Sequence, residues 1–383
     1  MSISFTEILL ILAAAQGLFL TIFILQKYAK VYAARFVGLL IFLYSLSLLF
    51  MIVNDLGYAV KMEELYMAFL AIPFVIGPLH YFFALYLIRP RQRLRVSDFL
   101  HFLPSLFVLI GLPTFACLSP QPFAANADAL GGTVPKYFIF FNWTIYIHAV
   151  TYSIVSLRKL RQHARKIKDV FSSVEKVQLN WLLNVTYLVL VVTTVFGIEN
   201  LLMSFGINAT NYYTASSVMV AVYVYTLGYM GLLRMDVFLD PRVSVSIQNV
   251  PTLKSAEGRQ KYQKSGLSPE KAKAYLDFIV TVMESKKPFH DNGLTLNQLA
   301  EMVDMTPHNL SEVLNTQLGQ NFFDFINSYR VEEVKAALVE PDKQHLTLLA
   351  IAFDAGFNSK TAFNTIFKKY TGKTPSEYRR ETA

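Results

Sequence analysis

The feature that most limits what this chain can fold into is a series of seven apolar stretches, at 5–25, 36–53, 65–88, 99–118, 137–157, 180–203 and 214–233. Each is long enough to cross a hydrocarbon core about 30 Å thick as a helix. Backbone inside lipid must satisfy its own hydrogen bonds, so stretches of this kind are restricted to helices there. Composition agrees, since 54% of the 383 residues are hydrophobic and 16% are charged. That balance is too apolar for an ordinary soluble protein, and the length leaves room for a second domain.

The loops between the stretches predict sidedness. Loops one, three and five, containing QKYAKVYAAR, RPRQRLRVSD and RKLRQHARKIKDVFSSVEKVQ, carry three, four and seven Lys or Arg, against one, one and none in loops two, four and six. By the positive-inside rule the basic loops face the cytoplasm, the N-terminus lies outside, and seven crossings deliver everything after Arg234 to the cytoplasm. The first apolar run follows no Lys or Arg, and Lys27 and Lys30 come after it, the pattern of a spanning helix rather than a cleaved signal peptide. The single cysteine, Cys117, offers no disulfide framework.

A formal charge of +8 suggests nucleic acid until it is divided by region. From Pro269 onward there are 13 Lys and Arg against 15 Asp and Glu, so the excess lies mostly in the loops, where it sets topology and meets anionic lipid. The global charge therefore says little about the tail.

Within that tail, 236–267 has scattered Pro, Gly and Ser without apolar periodicity and reads as a linker. SPEKAKAYLDFIVTVMESKKPF then predicts an amphipathic helix, with Ser268 as N-cap, Pro269 at the first position, and Ala272, Tyr275, Leu276, Ile279 and Met283 on one face. LTLNQLAEMVDM from Leu294 recurs as LTLLAIAFDAGF 52 residues later, from Leu346. In each copy a short helix meets a turn and a second amphipathic helix, the helix-turn-helix pattern. Thr295 with Gln298 predicts a capping box, Thr306-Pro307 a second helix start, Gly356 a left-handed helix end, and Asn358 or Ser359 the next cap. NFFDFINSYRVEEVKAAL between the copies predicts a connecting helix roughly 25 Å long, able to act as a strut.

The apolar faces leave two polar sets outward. Burying Leu310, Val313, Leu314 and Leu318 leaves His308, Asn309, Ser311, Glu312, Asn315 and Thr316; burying Ala362, Phe363, Ile366, Phe367 and Tyr370 leaves Lys360, Thr361, Asn364, Thr365, Lys368 and Lys369, with Ser359 at the helix start. Short polar and basic side chains of this kind suit base edges and phosphates. The first set contains no Lys or Arg and the second is rich in Lys, so the second copy should carry most of the grip.

NFFDFINSYRVEEVKAALVE followed by LLAIAFDAGFNSKTAFNTIFKKYTGKTPSEYR resembles the C-terminal DNA-binding domain of AraC/XylS-type transcription regulators, over about 267–380. The elements that carry the likeness are Ile351-Ala352, Gly356-Phe357, Ser359, Phe363, Phe367-Lys368, Gly372, Pro375 and Tyr378-Arg379. The resemblance implies two helix-turn-helix units, sequence-specific binding of double-stranded DNA, and transcriptional control. Familiar members carry a soluble sugar-pocket domain where this chain has membrane helices, so the nature of the signal does not transfer.

The resulting expectation is an all-α protein: a seven-transmembrane-helix bundle over 1–235, a linker, and a cytoplasmic domain over 268–383 with two helix-turn-helix units. It is a multi-pass protein of a bacterial inner membrane, with lipid and DNA as partners, a homodimer as candidate assembly, and a small molecule, lipid or protein as signal. His80, His148 and Glu199 are costly inside a bilayer and are the candidate sensing residues, although mutual pairing between helices is the commoner explanation for such groups. Pro73 and Pro78 predict a kink in the third stretch. No HExxH spacing, phosphate-cradling glycine loop or nucleophile motif is present, so no enzyme, metal or cofactor is expected. The competing reading is a receptor or transporter whose tail binds a protein.

Overall fold

The computed structural model describes residues 4–55, 63–89, 92–118, 136–175, 177–205, 207, 210–238 and 267–382. Among them are fourteen α-helices and a single isolated β-bridge, so the fold is nearly all helical. The chain divides into two compact units, Met1–Gln162 with Leu179–Leu239, and His163–Gln178 with Asp240–Ala383.

The first unit holds α1 (Phe5–Tyr28), α2 (Tyr32–Asp55), α3 (Glu63–Ile88), α4 (Leu103–Leu118), α5 (Lys136–Lys166, whose last turn enters the second unit), α6 (Asn180–Ser204) and α7 (Thr210–Phe238). Four of the seven expected stretches are helices long and apolar enough to cross a membrane among the described residues: Phe5–Tyr28, Tyr32–Val53, Ala68–Ile88 and Asn180–Leu202. The other three are helical with limits that differ from the expected ones. The stretch expected from Phe99 begins as a 3-10 turn over Val96–Phe102 and becomes α-helical only at Leu103, with Pro104 in the first turn where its missing N–H costs nothing. α5 is longer than expected because its basic end, RKLRQHARK, continues the helix. α7 also runs past its expected limits, as helix over Thr210–Phe238.

Apolar side chains on both faces explain why these helices behave as they do. Ala14, Ile24, Val37, Leu40, Ile41, Leu48, Phe82, Phe83, Leu182 and Leu227 fill one core, while Leu12, Phe19 and Ile22 of α1 are more than half exposed. Helices apolar all round are stable where the surroundings are apolar as well. Pro73 and Pro78 both lie inside α3. α5 and α6 meet closely at a glycine: a Cβ on Gly197 would lie 2.4 Å from Cε2 of Tyr146.

The second unit holds α8 (Pro269–Lys286), α9 (Leu296–Met302), α10 (Pro307–Gln317), α11 (Phe322–Val339), α12 (Leu348–Asp354), α13 (Lys360–Thr371) and α14 (Pro375–Thr382). α11 is the shared wall of two cores. Phe322, Phe325 and Ile326 pack with Ile279 and Met283 of α8, Leu299 of α9 and Leu310 of α10. Phe323, Val331, Val334 and Leu338 pack with Ile351 of α12, and with Phe363 and Phe367 of α13.

That second core also contains Ile167, Val170, Phe171, Val174 and Val177, which the sequence suggested were part of a basic cytoplasmic loop. Phe171 bridges Thr295 in antiparallel fashion, through Ser172 N donating to Leu294 O and Leu296 N donating to Val170 O. The expected linker 236–267 reaches helix only through Phe238, and its residues 239–266 lie outside the described residues.

Candidate nucleic-acid interface

Two pairs of short helices frame the candidate interface. In the first, Thr295 caps α9: its Oγ1 accepts from Gln298 N at 3.4 Å while Gln298 Oε1 accepts from Thr295 N at 2.8 Å. Thr306 caps α10 by accepting from Asn309 N at 3.2 Å, and Pro307 occupies its first position. These caps, reciprocal at Thr295 and single at Thr306, satisfy amide donors that a helix start otherwise leaves open.

α12 starts at Thr347, whose hydroxyl accepts from Ala350 N at 3.1 Å. Gly356 then takes φ +95°, and a Cβ there would lie 2.2 Å from Phe289 O, so the turn requires glycine for both backbone conformation and space. Ser359 rather than Asn358 caps α13, accepting from Ala362 N at 3.1 Å.

α13 presents Lys360, Thr361, Asn364, Thr365, Lys368 and Lys369 to solvent, while Ala362, Phe363, Ile366 and Phe367 are buried. Tyr370 is 37% exposed rather than buried; its hydroxyl donates to Asp324 O at 2.8 Å and so pins α13 to α11 from the rim. Lys369 Nζ reaches Asp324 Oδ1 at 2.6 Å, which ties up its charge. Lys360 and Lys368 have no salt bridge among the described residues. Two other cations of the region serve the fold: Arg379 donates to the carbonyls of Leu346 and Gln344, and Lys373 pairs with Glu381.

α10 departs from its expected face. His308 is exposed, and Asn309 and Asn315 are half-buried, but Ser311 and Glu312 are buried at 5% and 4%. The apolar stripe alone suggested they were free; α10 is instead flanked by α8, α9 and α11, which covers a wider arc than the stripe. Ser311 is further occupied by Asn315, whose Nδ2 donates to its carbonyl at 2.7 Å and lies 3.3 Å from its hydroxyl. Leu318, expected in the core, is 39% exposed just beyond the helix end.

The candidate sensing residues are held by separate partners in the first unit. His80 is buried, with Nε2 2.9 Å from Thr186 Oγ1 and Nδ1 3.2 Å from the Tyr223 hydroxyl. His148 stacks edge-on to Phe74 at 5.2 Å and against Tyr152 at 4.8 Å, and neither buried ring nitrogen has a hydrogen-bond partner among the described residues. Glu199 is buried on α6 beside Ser216. Phe74 also lines an apolar cavity of about 610 Å³ with Leu70, Val108, Phe107, Phe141 and Thr144. No group of three or more His, Cys, Asp or Glu that could hold a metal occurs among the described residues.

What sequence reasoning missed is the centre of the second unit. Arg330 of α11 is fully buried and donates to the carbonyls of Phe289 and Asp291 at 2.8 Å, and to the carbonyl and hydroxyl of Ser172 at 3.1 Å. Asn327 is buried beside it and donates to Ser172 O at 3.0 Å. A lone arginine on the buried stripe of NFFDFINSYRVEEV was the available signal, but its partners lie in distant parts of the sequence.

A helix-turn-helix domain family matches residues 299–381. An uncharacterized HTH-type transcriptional regulator of Staphylococcus aureus (strain COL) is 36% identical over 91 residues, which is 24% of this chain and 12% of that protein. The melibiose operon regulatory protein of Escherichia coli (strain K12) is 32% identical over 91 residues, 24% of this chain and 29% of that protein. The likeness thus spans less than a third of either relative. Among solved structures, the C-terminal domain of the two-component response regulator yesN from Fusobacterium nucleatum is 31% identical with a TM-score of 0.24, over 27% of this chain and 95% of that one. The C-terminal domain of AraT, a response regulator from Geobacillus stearothermophilus, is 30% identical with a TM-score of 0.25, over 30% and 88%.

Proposed function

We propose that this chain, which ends in an AraC-type helix-turn-helix domain of the kind found in transcription regulators, is a membrane-embedded one-component transcription regulator. Its C-terminal unit binds specific double-stranded DNA, and its apolar helices form the sensor. The observation that carries the reading is the exposed face of α13, where Lys360, Asn364 and Lys368 lie on one side of a capped helix with its apolar side fully engaged. A helix fits the major groove, Asn can pair with adenine, and the lysines can meet guanine or phosphate.

The expectation of seven crossings supports a cytoplasmic C-terminal unit, with fourteen Lys and Arg in the odd loops against two in the even ones. His148, packed on Phe74 of the apolar cavity, is the candidate sensing residue placed for an apolar or amphiphilic signal, and His80 and Glu199 are separate candidates. Such a ligand would act by binding one arrangement of the helices better than another. Pairing of two chains would place four helix pairs on DNA.

The test uses the full chain in lipid nanodiscs, because residues 163–178 belong to the core of the C-terminal unit. Genomic fragments selected on the immobilised protein should share a sequence, and changing Lys360, Asn364 and Lys368 together to Ala should abolish that selection. Undiminished binding by the triple variant would sink direct readout by α13. A reporter fused after Ala383 that reads as external would defeat the topology and with it DNA binding.

A further inference from the structure

The segment 163–178 leads from the end of α5 to α6, yet its apolar side chains Ile167, Val170, Phe171, Val174 and Val177 are core residues of the C-terminal unit. Ile167, Val170, Ser172, Val174 and Val177 are at most 5% exposed, and Phe171 is 9% exposed. Surface loops do not bury residues in this way, because their backbone polar groups would go unpaired. Here the polar groups are paired: Val170 O and Ser172 N bond to the start of α9, and Ser172 O accepts from both Asn327 and Arg330 of α11.

One short stretch therefore touches the start of α9 in the first helix pair and the core that holds the second pair against α11. Its bridge to Thr295 engages the residue that caps α9. Its apolar side chains share a core with α11, α12 and α13. Its ends leave no slack, since α5 continues as helix to Lys166, inside the segment, and only Leu179 separates Gln178 from α6. A shift or rotation of α5 against α6 therefore meets little free chain before it reaches the segment's contacts with α9 and α11.

We propose that residues 163–178 are the transmission element between the membrane helices and the DNA-contacting helices, working by a change in how α5 and α6 meet. The proposal rests on the DNA-binding reading above. Packed cores rearrange between discrete states rather than deforming smoothly, so a small change at the ends of the segment can select between two dispositions of the helix pairs along α11.

The structure supplies a membrane-side lever. Gly197 of α6 faces the ring of Tyr146 of α5 so closely that any side chain there must displace that ring and so disturb the contact between the two helices. The experiment compares the full chain in nanodiscs of 3:1 phosphatidylethanolamine and phosphatidylglycerol with its Gly197→Leu variant. Each is made with and without a flexible (Gly-Ser)₄ insert before His163 and after Gln178. Two quantities are read: affinity for the selected genomic fragments, and amide exchange in 167–177 and 322–339.

In the uninterrupted chain, Gly197→Leu should change DNA affinity roughly fivefold or more, the usual lower range of coupling between sites, and alter exchange in 322–339. With the inserts the segment should stay protected, and the effect of Gly197→Leu on both readouts should vanish. An effect that survives the inserts, or none in the uninterrupted chain, overturns the proposal. Should Gly197→Leu fail to insert, Gly197→Ala is read the same way, because a Cβ alone already clashes. If no DNA is ever selected, the DNA-binding reading fails, while exchange in 322–339 still decides whether the segment transmits.

Discussion

Arg330 donates from Nη1 to the backbone carbonyl of Ser172 at 3.1 Å, joining two residues 158 positions apart. The guanidinium is wholly buried, and burial lowers its pKa to about 10, opposed by the charges of Glu175 and Asp291, so it remains a cation at neutral pH. Its planar fork suits this site, since it gathers carbonyls from 172, 289 and 291 around one centre.

Removing that centre should loosen three segments together. Arg330→Met leaves buried carbonyls without a donor and should cost about 3–5 kcal/mol, as breaking buried charged networks does. Ser172→Ala removes one acceptor hydroxyl but keeps the carbonyl, and should cost about 1 kcal/mol. Amide exchange should report the Arg330→Met loss at 167–177, 289–296 and 322–339 alike. Loosening confined to α11 would show that the arginine does not join the segments.

The same segment carries two titratable groups with opposed pH dependence. Burial holds His163 down to about 4, its Nε2 3.4 Å from Val177 O and with Lys166 nearby, so it docks neutral. Its contribution is fully present above the ordinary histidine value near 6.5 and is lost as pH falls toward 4. Burial pushes Asp169 up to about 6, against the pull of Lys166, so its penalty is full above 6 and is relieved as pH falls toward its ordinary value of 3.8.

Across that window the two slopes oppose, and protection of 167–177 in the native chain should vary little with pH. Asp169→Asn should expose the histidine slope, a loss of about 3 kcal/mol between pH 6.5 and 4. His163→Gln should show the reverse slope. Exchange measured over that range decides it, and a flat profile for Asp169→Asn would refute the assignment.

Legibility in the sequence followed how local the determinants were. Ser268-Pro269, Thr295 with Gln298, and Thr306-Pro307 announced helix starts within four residues, and the structure uses them. The outward face of α13 followed from Ala362, Phe363, Ile366 and Phe367, because one apolar stripe meets one core. α10 defeated that logic at Ser311 and Glu312, since three helices flank it. Ile167, Val170, Phe171 and Val174 have helical spacing, but the lysines and arginines around them drew the reading toward topology. Their partners, Phe323 to Phe367, lie far along the chain where no local pattern points back.

Gly356→Ala should be severely destabilising for a reason visible at one atom pair. The residue sits at φ +95°, and a Cβ would press on the Phe289 carbonyl, which also accepts from Arg330. Strain of this kind costs roughly 1–3 kcal/mol before the clash is relieved. A loss of about 2 kcal/mol or more in the stability of the C-terminal unit is expected from thermal or exchange measurements. Gly319→Ala, at φ +65° with nothing within 4 Å of its Cβ, should cost less.

Salt dependence should separate the three lysines of α13. A lysine that neutralises a phosphate releases counterions, and each such contact contributes about 0.9 to the slope of log affinity against log salt. Lys360→Ala and Lys368→Ala should each lower the slope by about one. Lys369→Ala should lower it by less, because its Nζ is already bound to Asp324 Oδ1 at 2.6 Å. Asp324→Asn frees Lys369 and should raise the slope above that of the native chain. Titrations of the selected DNA at several salt concentrations provide the measurement, and equal effects from Lys368→Ala and Lys369→Ala would show that the ion pair opens when DNA binds.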